Sequence, residues 1–412
     1  MDAGSTWRIA WRNLGRSRKR TALACAAIAL GQFAFLASAA IMHGYAEEYL
    51  RSVTGPLVGH VQVHAEGWRE EQAVDRVLEG VGAKLAAIRE QPQVVQASPR
   101  VYAPVLAALE REAFMGMVVG IDSRLEAGEG GLLEGLKTSS PLRAGQVWVG
   151  RGFARQEGIE EGAELAVIGQ DIDGSIASEL YEVAGIIASP VEIVHRVGIV
   201  MAIDDARALL RLGDEAHEIV VHLRSADEVG LAAEQMAALE VLAAAEVKPW
   251  YEIVPQFAGI IELMDVYTLL ILVIVFLAAA AGIANTMLMS IFERRRELGM
   301  LLALGCGPGR LARIVAAEAI CLGVLGVALG TSMGLAFAGA TAEAGFDFVA
   351  LAGEQSFEVG YQGLQISSRV FPELKMADVL EGVGAVLLTA FASCIWPLVH
   401  IARLEPMEAM RP

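Results

Sequence analysis

Between residues 26 and 305 the 412-residue sequence has no cysteine, and its four cysteines, Cys25, Cys306, Cys321 and Cys394, all lie in or beside long apolar runs. A disulfide framework in the middle of the chain is excluded, so about 200 residues there must be held by core burial alone, which that length permits. No Cys-x-x-Cys pair or Cys/His spacing points to a metal, and neither a His-Glu-x-x-His segment nor a Ser-x-x-Lys pair is present. We expect no catalytic residue, no metal ligand and no cofactor in this chain. Charged residues are scarce as well, at 20% against 55% hydrophobic with mean hydropathy +0.48, where a soluble domain carries about 25% charged. That balance argues against a disordered chain and against a plain cytosolic enzyme. Positive charge is in deficit, with a formal net charge of −17, which argues against nucleic acid as a partner.

What is present is apolar sequence in four runs, residues 21–42, 266–291, 311–340 and 379–401. Each is long enough to cross the ~30 Å hydrocarbon core of a bilayer. The first ends in Ala37-Ser38-Ala39, which mimics a signal-peptidase site, but it exceeds the usual ~7–15-residue apolar region of a leader. It reads as an anchor that is kept. In the third run Gly326, Gly330 and Gly334 fall four apart, placing them on one helix face where another backbone can approach. Pro397 ends or kinks the fourth.

Basic residues set the orientation. Arg8, Arg12, Arg16, Arg18, Lys19 and Arg20 precede the first run, Arg294, Arg295, Arg296, Arg310 and Arg313 stand between the second and third, and Arg403 and Arg411 follow the fourth. By the positive-inside rule these segments, and hence both termini, are cytoplasmic. The expected plan is a cytoplasmic amphipathic helix (1–20), the four spans in a 1+3 layout, an extracytoplasmic domain (43–265), a cytoplasmic loop (292–310), an outside loop (341–378) and a cytoplasmic tail (402–412). The fold class is an α-helical membrane protein carrying a large extracytoplasmic α+β domain, with membrane lipids as immediate neighbours.

That outside domain holds about twice as many acidic as basic residues. Alternation over residues 59–64 predicts a strand, and Val74, Val77, Leu78, Val81, Leu85 and Ile88 predict a helix over 71–90. Strands follow over 94–108 and 114–121. Downstream, 218–223 and 245–253 read as strands around a helix over 226–244. Two strand-helix-strand units therefore form one layer (59–122 with 218–255), and the Gly-rich stretch 123–213 reads as an inserted β-rich lobe. The loop Gly169-Gln170-Asp171-Ile172-Asp173-Gly174-Ser175-Ile176 lacks the ligand register and terminal Glu of a calcium loop and reads as a solvated hairpin turn. His60 and His64 share a strand face, and surface histidines account for them.

The most informative segment runs from Asn285 to Gly305. An apolar helix passes into the charged turn Glu293-Arg294-Arg295-Arg296-Glu297-Leu298-Gly299, then into a short apolar stretch, and Gly305-Cys306-Gly307-Pro308-Gly309 breaks the chain before the third run. Mechanically this is a rigid helix ending in a charged foot. The segment Glu293 to Gly305 resembles, almost position by position, the signature of FtsX-like ABC transporter permeases (the MacB/LolC/LolE type, type VII). Glu318, Trp11-Arg12-Asn13-Leu14-Gly15-Arg16-Ser17 and the ending Arg403 to Arg411 are similar to that family too. The resemblance covers nearly the whole chain.

It implies a permease subunit that dimerises with a second copy or a paralogue, pairs with two copies of an ABC ATPase subunit, and transmits force outward from the bacterial inner membrane. ATP and Mg would be bound by that partner, since this sequence has no Gly-x-x-x-x-Gly-Lys-[Ser/Thr] segment. Residues Glu293 to Gly299 would be the ATPase-coupling helix. Gly59 to Val63, Val118 to Asp122 and Gly158 to Val167 look most like the lipoprotein-releasing permeases LolC and LolE, which implies a lipoprotein substrate and a periplasmic chaperone or adaptor outside. The chaperone-capturing loop of LolC carries a proline, and residues 169–179 here have none. An acylated substrate needs an apolar lateral entrance, for which Phe33, Phe35, Leu36, Met42, Met264, Tyr267, Leu270 and Ile271 are candidates. Export of a peptide, antibiotic or siderophore through a tripartite pump, and regulation of a cell-wall hydrolase, are the alternatives the same family offers.

Overall fold

The computed structural model describes residues 3–16, 18–56, 58–128, 130–134, 142–189, 191–304, 306–347, 359–361, 364–366 and 369–395. Ser17, Gly305, much of the 341–378 loop, Pro397 and the tail 402–412 with Arg403 to Arg411 lie outside them. The chain divides into two compact units, one comprising Met1–Ala46, Ile261–Phe348 and Arg369–Pro412, the other Glu47–Ile260 and Val349–Ser368. Elements are numbered in chain order.

In the first unit, α1 (Ala3–Leu14) precedes α2 (Arg18–Thr54), and α10 (Pro255–Glu293), α11 (Arg295–Ala303), α12 (Pro308–Thr341) and α13 (Met376–Ser393) follow the second unit in sequence. Among the described residues α2, α10, α12 and α13 are the helices long and apolar enough to cross a membrane. α10 has 39 residues, about 58 Å at the helical rise, well beyond the ~30 Å that hydrocarbon requires. Both it and α2 (37 residues) are longer than the apolar runs that mark them, and α2 passes without a break through Ala37-Ser38-Ala39.

The glycine face of α12 lies against α2. A Cβ added at Gly330 would stand 2.5 Å from the Ala29 carbonyl oxygen and 2.6 Å from Gln32 Cβ, one at Gly326 would meet Ile28 at 2.5 Å, and one at Gly334 would meet Leu36 at 2.9 Å. Backbones this close exclude any side chain, which is how helices gain van der Waals contact where lipid offers no hydrophobic drive. Ile28, Ile283, Met287, Leu311, Leu322 and Val386 form the buried core of this unit. Gly330→Leu is expected to separate α2 from α12 at a cost of about 1–3 kcal/mol or more, read as a lower melting temperature of the detergent-solubilised chain; an unchanged melting curve would refute that contact.

The second unit is built on β1 (Val61–Ala65), β2 (Val94–Leu109), β8 (Glu218–Leu223) and β9 (Ala245–Pro249), in the antiparallel order β2-β8-β1-β9. The helices between them are α3 (Trp68–Glu71) and α4 (Val81–Arg89) on one side of the chain order and α8 (Val229–Ala237) on the other. This is a ferredoxin-like β-α-β-β-α-β layer. The helix read over 71–90 is only these two pieces, because Gln72 (φ +48) and Gly80 (φ +60) adopt the left-handed conformation that stops a helix. The one read over 226–244 keeps α8, flanked by 3-10 turns, and the strand read over 245–253 ends at Pro249, where the short helix α9 (Trp250–Ile253) begins.

Between β2 and β8 come β3 (Glu112–Ile121), β4 (Gln146–Gly150), α5 (Arg151–Glu157), β5 (Glu164–Gln170), β6 (Ile176–Ile187), α6 (Glu192–Val197), β7 (Gly198–Ala202) and α7 (Ile203–Leu210). Pairing runs β2-β3-β7-β4-β6-β5 and returns from β5 to β2, closing a six-stranded barrel. Closure removes the exposed edges an open lobe would present. It also corrects the division drawn at residue 122: β2 and β3 belong to the barrel, and β2, 16 residues long, is shared by both sheets. Alternation along β2 buries Val101, Ala103, Val105 and Ala107 while leaving Leu106 exposed. The 169–176 loop is the turn between β5 and β6.

One face of the four-stranded sheet is polar and yet buried. Gln62 and His64 of β1, Glu218 and His222 of β8, and Ser98 and Arg100 of β2 share that face by register, and all are nearly inaccessible. The histidines are therefore not surface groups, which corrects the sequence reading of His64. Burial depresses the pKa of His60, His64 and His217, and takes that of His222 down to about 4, with repulsion from His60 and Arg100 adding to it. The unfolded chain then binds more protons than the folded one below the ordinary histidine pKa, so stability falls as pH drops from 6.5 toward 4. His222 alone accounts for about 3 kcal/mol at pH 4. Hydrogen exchange of the β1 and β8 amides should accelerate on going from pH 7 to 5, beyond the intrinsic pH dependence, and His222→Gln should flatten that response.

Candidate functional site

The charged foot forms where α10 stops. Arg294 breaks the helix between Glu293 and Arg295, and α11 resumes with Leu298 and Gly299 buried. Leu298 is anchored in the core with Ile291 and Leu311, while Arg295, Arg296, Met300 and Leu304 stay exposed. Side chains from three other places converge on this turn. Glu318 of α12, 4% exposed, accepts hydrogen bonds from Arg294 Nη1 at 3.0 Å and from Asn13 Nδ2 at 2.5 Å. Arg16 pairs with Glu297 at 2.9 Å and Arg20 with Glu293 at 2.6 Å. Arg294 Nε also reaches Glu297 at 3.3 Å.

The result is a polar clasp joining the α1–α2 corner, the foot and α12. Burial acts upward, but the hydrogen bonds and charges of Arg16 and Arg294 together hold the Glu297 carboxyl below its usual range, so the clasp is complete above the ordinary carboxylate pKa and loosens as pH falls through the depressed value. Arg16 and Glu297 are largely exposed, so their pair fixes geometry more than stability. The Arg294–Glu318 pair is shielded and holds two helices in one register. Beside it lies a cavity of about 350 Å³ bounded by Ile9, Leu301, Leu304, Ile314 and the Arg294–Glu318 pair. α1 packs along α12 with Ala10 buried and Trp7 and Trp11 exposed.

The residues read as a substrate path are not gathered into one surface. Phe35, Leu36 and Met264 are buried, Tyr267 and Leu270 are exposed, and Met42 and Ile271 are half-buried. Phe33 stacks edge-on against Phe337 of α12, with centroids 6.0 Å apart. An apolar cleft of about 300 Å³ lies instead between α10 and α13, lined by Val273, Phe276, Leu277, Ala385 and Leu388. Gly330-Thr331-Ser332-Met333-Gly334 spells a serine-hydrolase pattern but sits inside α12, where Ser332 Oγ donates to the Ala328 carbonyl at 2.7 Å; no strained turn presents a nucleophile there. Among the described residues no group of His, Cys, Asp and Glu could hold a metal ion.

Residues 21–239 match the MacB-like periplasmic core domain, and residues 269–406 match the FtsX-like permease C-terminal region. The chain belongs to the MacB-like periplasmic core domain family. The second match takes in most of α10 with α11, α12 and α13, so the part of the chain that resembles FtsX-like permeases holds three of the four helices long and apolar enough to cross a membrane. A macrolide export ATP-binding/permease protein MacB 2 from Aeromonas hydrophila is 22% identical over 98% of this chain, which spans 60% of that protein's length. An uncharacterized ABC transporter permease of Methanocaldococcus jannaschii is 33% identical over 81 residues, 20% of either chain. The periplasmic region of MacB from Actinobacillus actinomycetemcomitans is a similar solved structure at 12% identity, covering 51% of this chain and 95% of that one with a TM-score of 0.36. The extracellular domain of the transporter YknZ from Gram-positive bacteria, also 12% identical, covers 46% and 98% with a TM-score of 0.31.

In this MacB-like chain the foot and Glu318 are legible from sequence, but their partners are not. Asn13, Arg16 and Arg20 lie 273 to 305 residues away from the groups they bind. Only the family-like stretch before α2 signalled that this corner mattered.

Proposed function

We propose that this chain is the force-transmitting permease of an ABC transporter whose ATP-binding subunit docks on the exposed side of the foot. The observation that carries this is the clasp: α11 is exposed on one side and held on the other by the buried Leu298 and the Arg16–Glu297 pair, while the turn before it is tied through Arg294–Glu318 and Arg20–Glu293 to α12 and α2. A push on Arg295, Arg296 and Met300 would move α2, α10 and α12 together, and α2 and α10 are covalently continuous with the periplasmic domain. Two permease chains, each with both termini in the cytoplasm and the four apolar helices in a 1+3 layout, would work with two ATPase subunits that bind ATP and Mg.

The proposed cargo is a lipoprotein or similar amphiphile, released from the membrane to a periplasmic chaperone or adaptor. The apolar cleft between α10 and α13 supports an acyl-chain substrate, because its lining offers almost nothing polar. A second reading, export of a macrolide-like compound, is favoured by the relative that aligns with 98% of the chain. Purification of the tagged chain from native membranes in mild detergent, with mass spectrometry of everything retained, separates these. An ATP-binding subunit with acylated peptides supports lipoprotein release, and an ATP-binding subunit with an adaptor and no acylated peptides above a control membrane protein supports export. Retention of no ATP-binding polypeptide would contradict both.

A further inference from the structure

The periplasmic domain contains a cavity of about 510 Å³ that the coupling mechanism does not use. That volume lies within the range of small-molecule sites, which are mostly apolar with a few convergent polar groups. Its walls include Trp68, Arg69, Met117, Leu132 and Ile193, and Trp68 stacks on both Tyr102 and His217, with ring centroids 5.9 Å and 5.8 Å away. Its floor is the polar face of the sheet, where Arg100, Tyr102 and Glu218 are exposed to the cavity.

Arg69 lines the cavity as well, but on the floor itself the hydrogen-bond donors are unevenly shared. Arg100 is fully engaged by Glu126: Nε donates to Oε1 at 2.7 Å and Nη2 to Oε2 at 2.8 Å, while Nη1 donates to the Pro56 carbonyl at 3.1 Å. Glu126 is saturated in turn, accepting also from Ser98 Oγ and the Leu132 N–H at 2.7 Å each. Glu218, 1% exposed, is left with the Tyr102 hydroxyl at 2.7 Å and a remote approach of Arg100 Nη1 at 3.9 Å. An ionised carboxylate has about four acceptor positions. His64, the other titratable neighbour across the strand pair, is directed to Glu246 at 3.2 Å. Glu218 is thus a buried carboxylate facing an apolar, aromatic cavity with unused acceptor capacity.

We propose that this cavity binds a small amine-bearing amphiphile, its ammonium group on Glu218 and its apolar body against Trp68 and Tyr102. The ammonium supplies the donors Glu218 lacks, in charge-assisted hydrogen bonds to its free acceptor positions. The site lies wholly in the periplasmic unit, so it stands apart from the coupling reading and its test needs no ATP.

The test is calorimetric titration of the full chain in lipid nanodiscs at pH 7 with 2-phenylethylamine, against empty nanodiscs and against the uncharged 2-phenylethanol. Saturable binding of the amine, weakened roughly tenfold or more by the alcohol's lack of charge, is expected. Glu218→Gln should remove that preference, and Ile193→Trp, at a partly exposed position on the wall, should abolish binding by filling the cavity while leaving the floor intact. Equal affinity for amine and alcohol, no saturable binding, or amine binding that survives Ile193→Trp would overturn the assignment. None of those outcomes bears on whether an ATP-binding subunit docks at the foot.

Discussion

Arg100→Met should destabilise the periplasmic domain by about 3–5 kcal/mol, because it leaves Glu126 as an uncompensated charge inside the protein. Arg100 is 1% exposed and Glu126 is fully inaccessible. Four donors converge on the Glu126 carboxylate, holding its pKa below the ordinary value although burial acts strongly in the other direction. The effect should appear as faster hydrogen exchange across β2, β3 and β8 in the full chain. Arg100→Met combined with Glu126→Leu should recover part of the loss, since replacing both members of a buried pair costs less than removing one. A single variant with wild-type exchange would show that the pair contributes little to holding β2, which serves the layer and the barrel at once.

Coupling should be equally sensitive at the foot. Glu297→Lys places a third cation against Arg16 and Arg294 and removes the acceptor that ties the foot to the α1–α2 corner. Substrate-stimulated ATP turnover of the purified complex should fall to the unstimulated level, while hydrogen exchange of the periplasmic domain stays as in the wild type. Gly299→Pro should do the same by breaking α11. The paired reversal Arg16→Glu with Glu297→Arg should restore part of the turnover, because the opposite charges then meet in the same place. Unaltered stimulation in Glu297→Lys and Gly299→Pro would remove the basis for assigning force transmission to this turn.

How much of this was readable before the structure depends on how local each signal is. The long apolar helices were legible because a run such as 266–291 carries its information in consecutive residues. The glycine spacing at 326, 330 and 334 announced a close-packed face, but nothing local named α2 as what lies against it. The barrel was hidden because its closure rests on β2 changing partners midway, pairing with β8 through Arg100 and with β5 from Val105 onward. Alternation shows that 94–109 is a strand and says nothing of which sheet claims each half. Gly80 and Gln72 broke a helix that the apolar spacing of Val74 to Ile88 had suggested as continuous. The clasp and the cavity were invisible for one shared reason, that Asn13 and Glu318, or Trp68 and Glu218, meet only after the chain has folded.

The account turns on what touches the exposed side of α11. A photoreactive phenylalanine analogue at Met300, which is 53% exposed, should cross-link in native membranes to an ATP-binding polypeptide, and the same probe at Leu329 of α12, equally exposed at 53%, should not. Cross-links from Met300 to lipid or to a second copy of this chain, with no ATP-binding polypeptide among the products, would contradict the assignment of the foot as the coupling site.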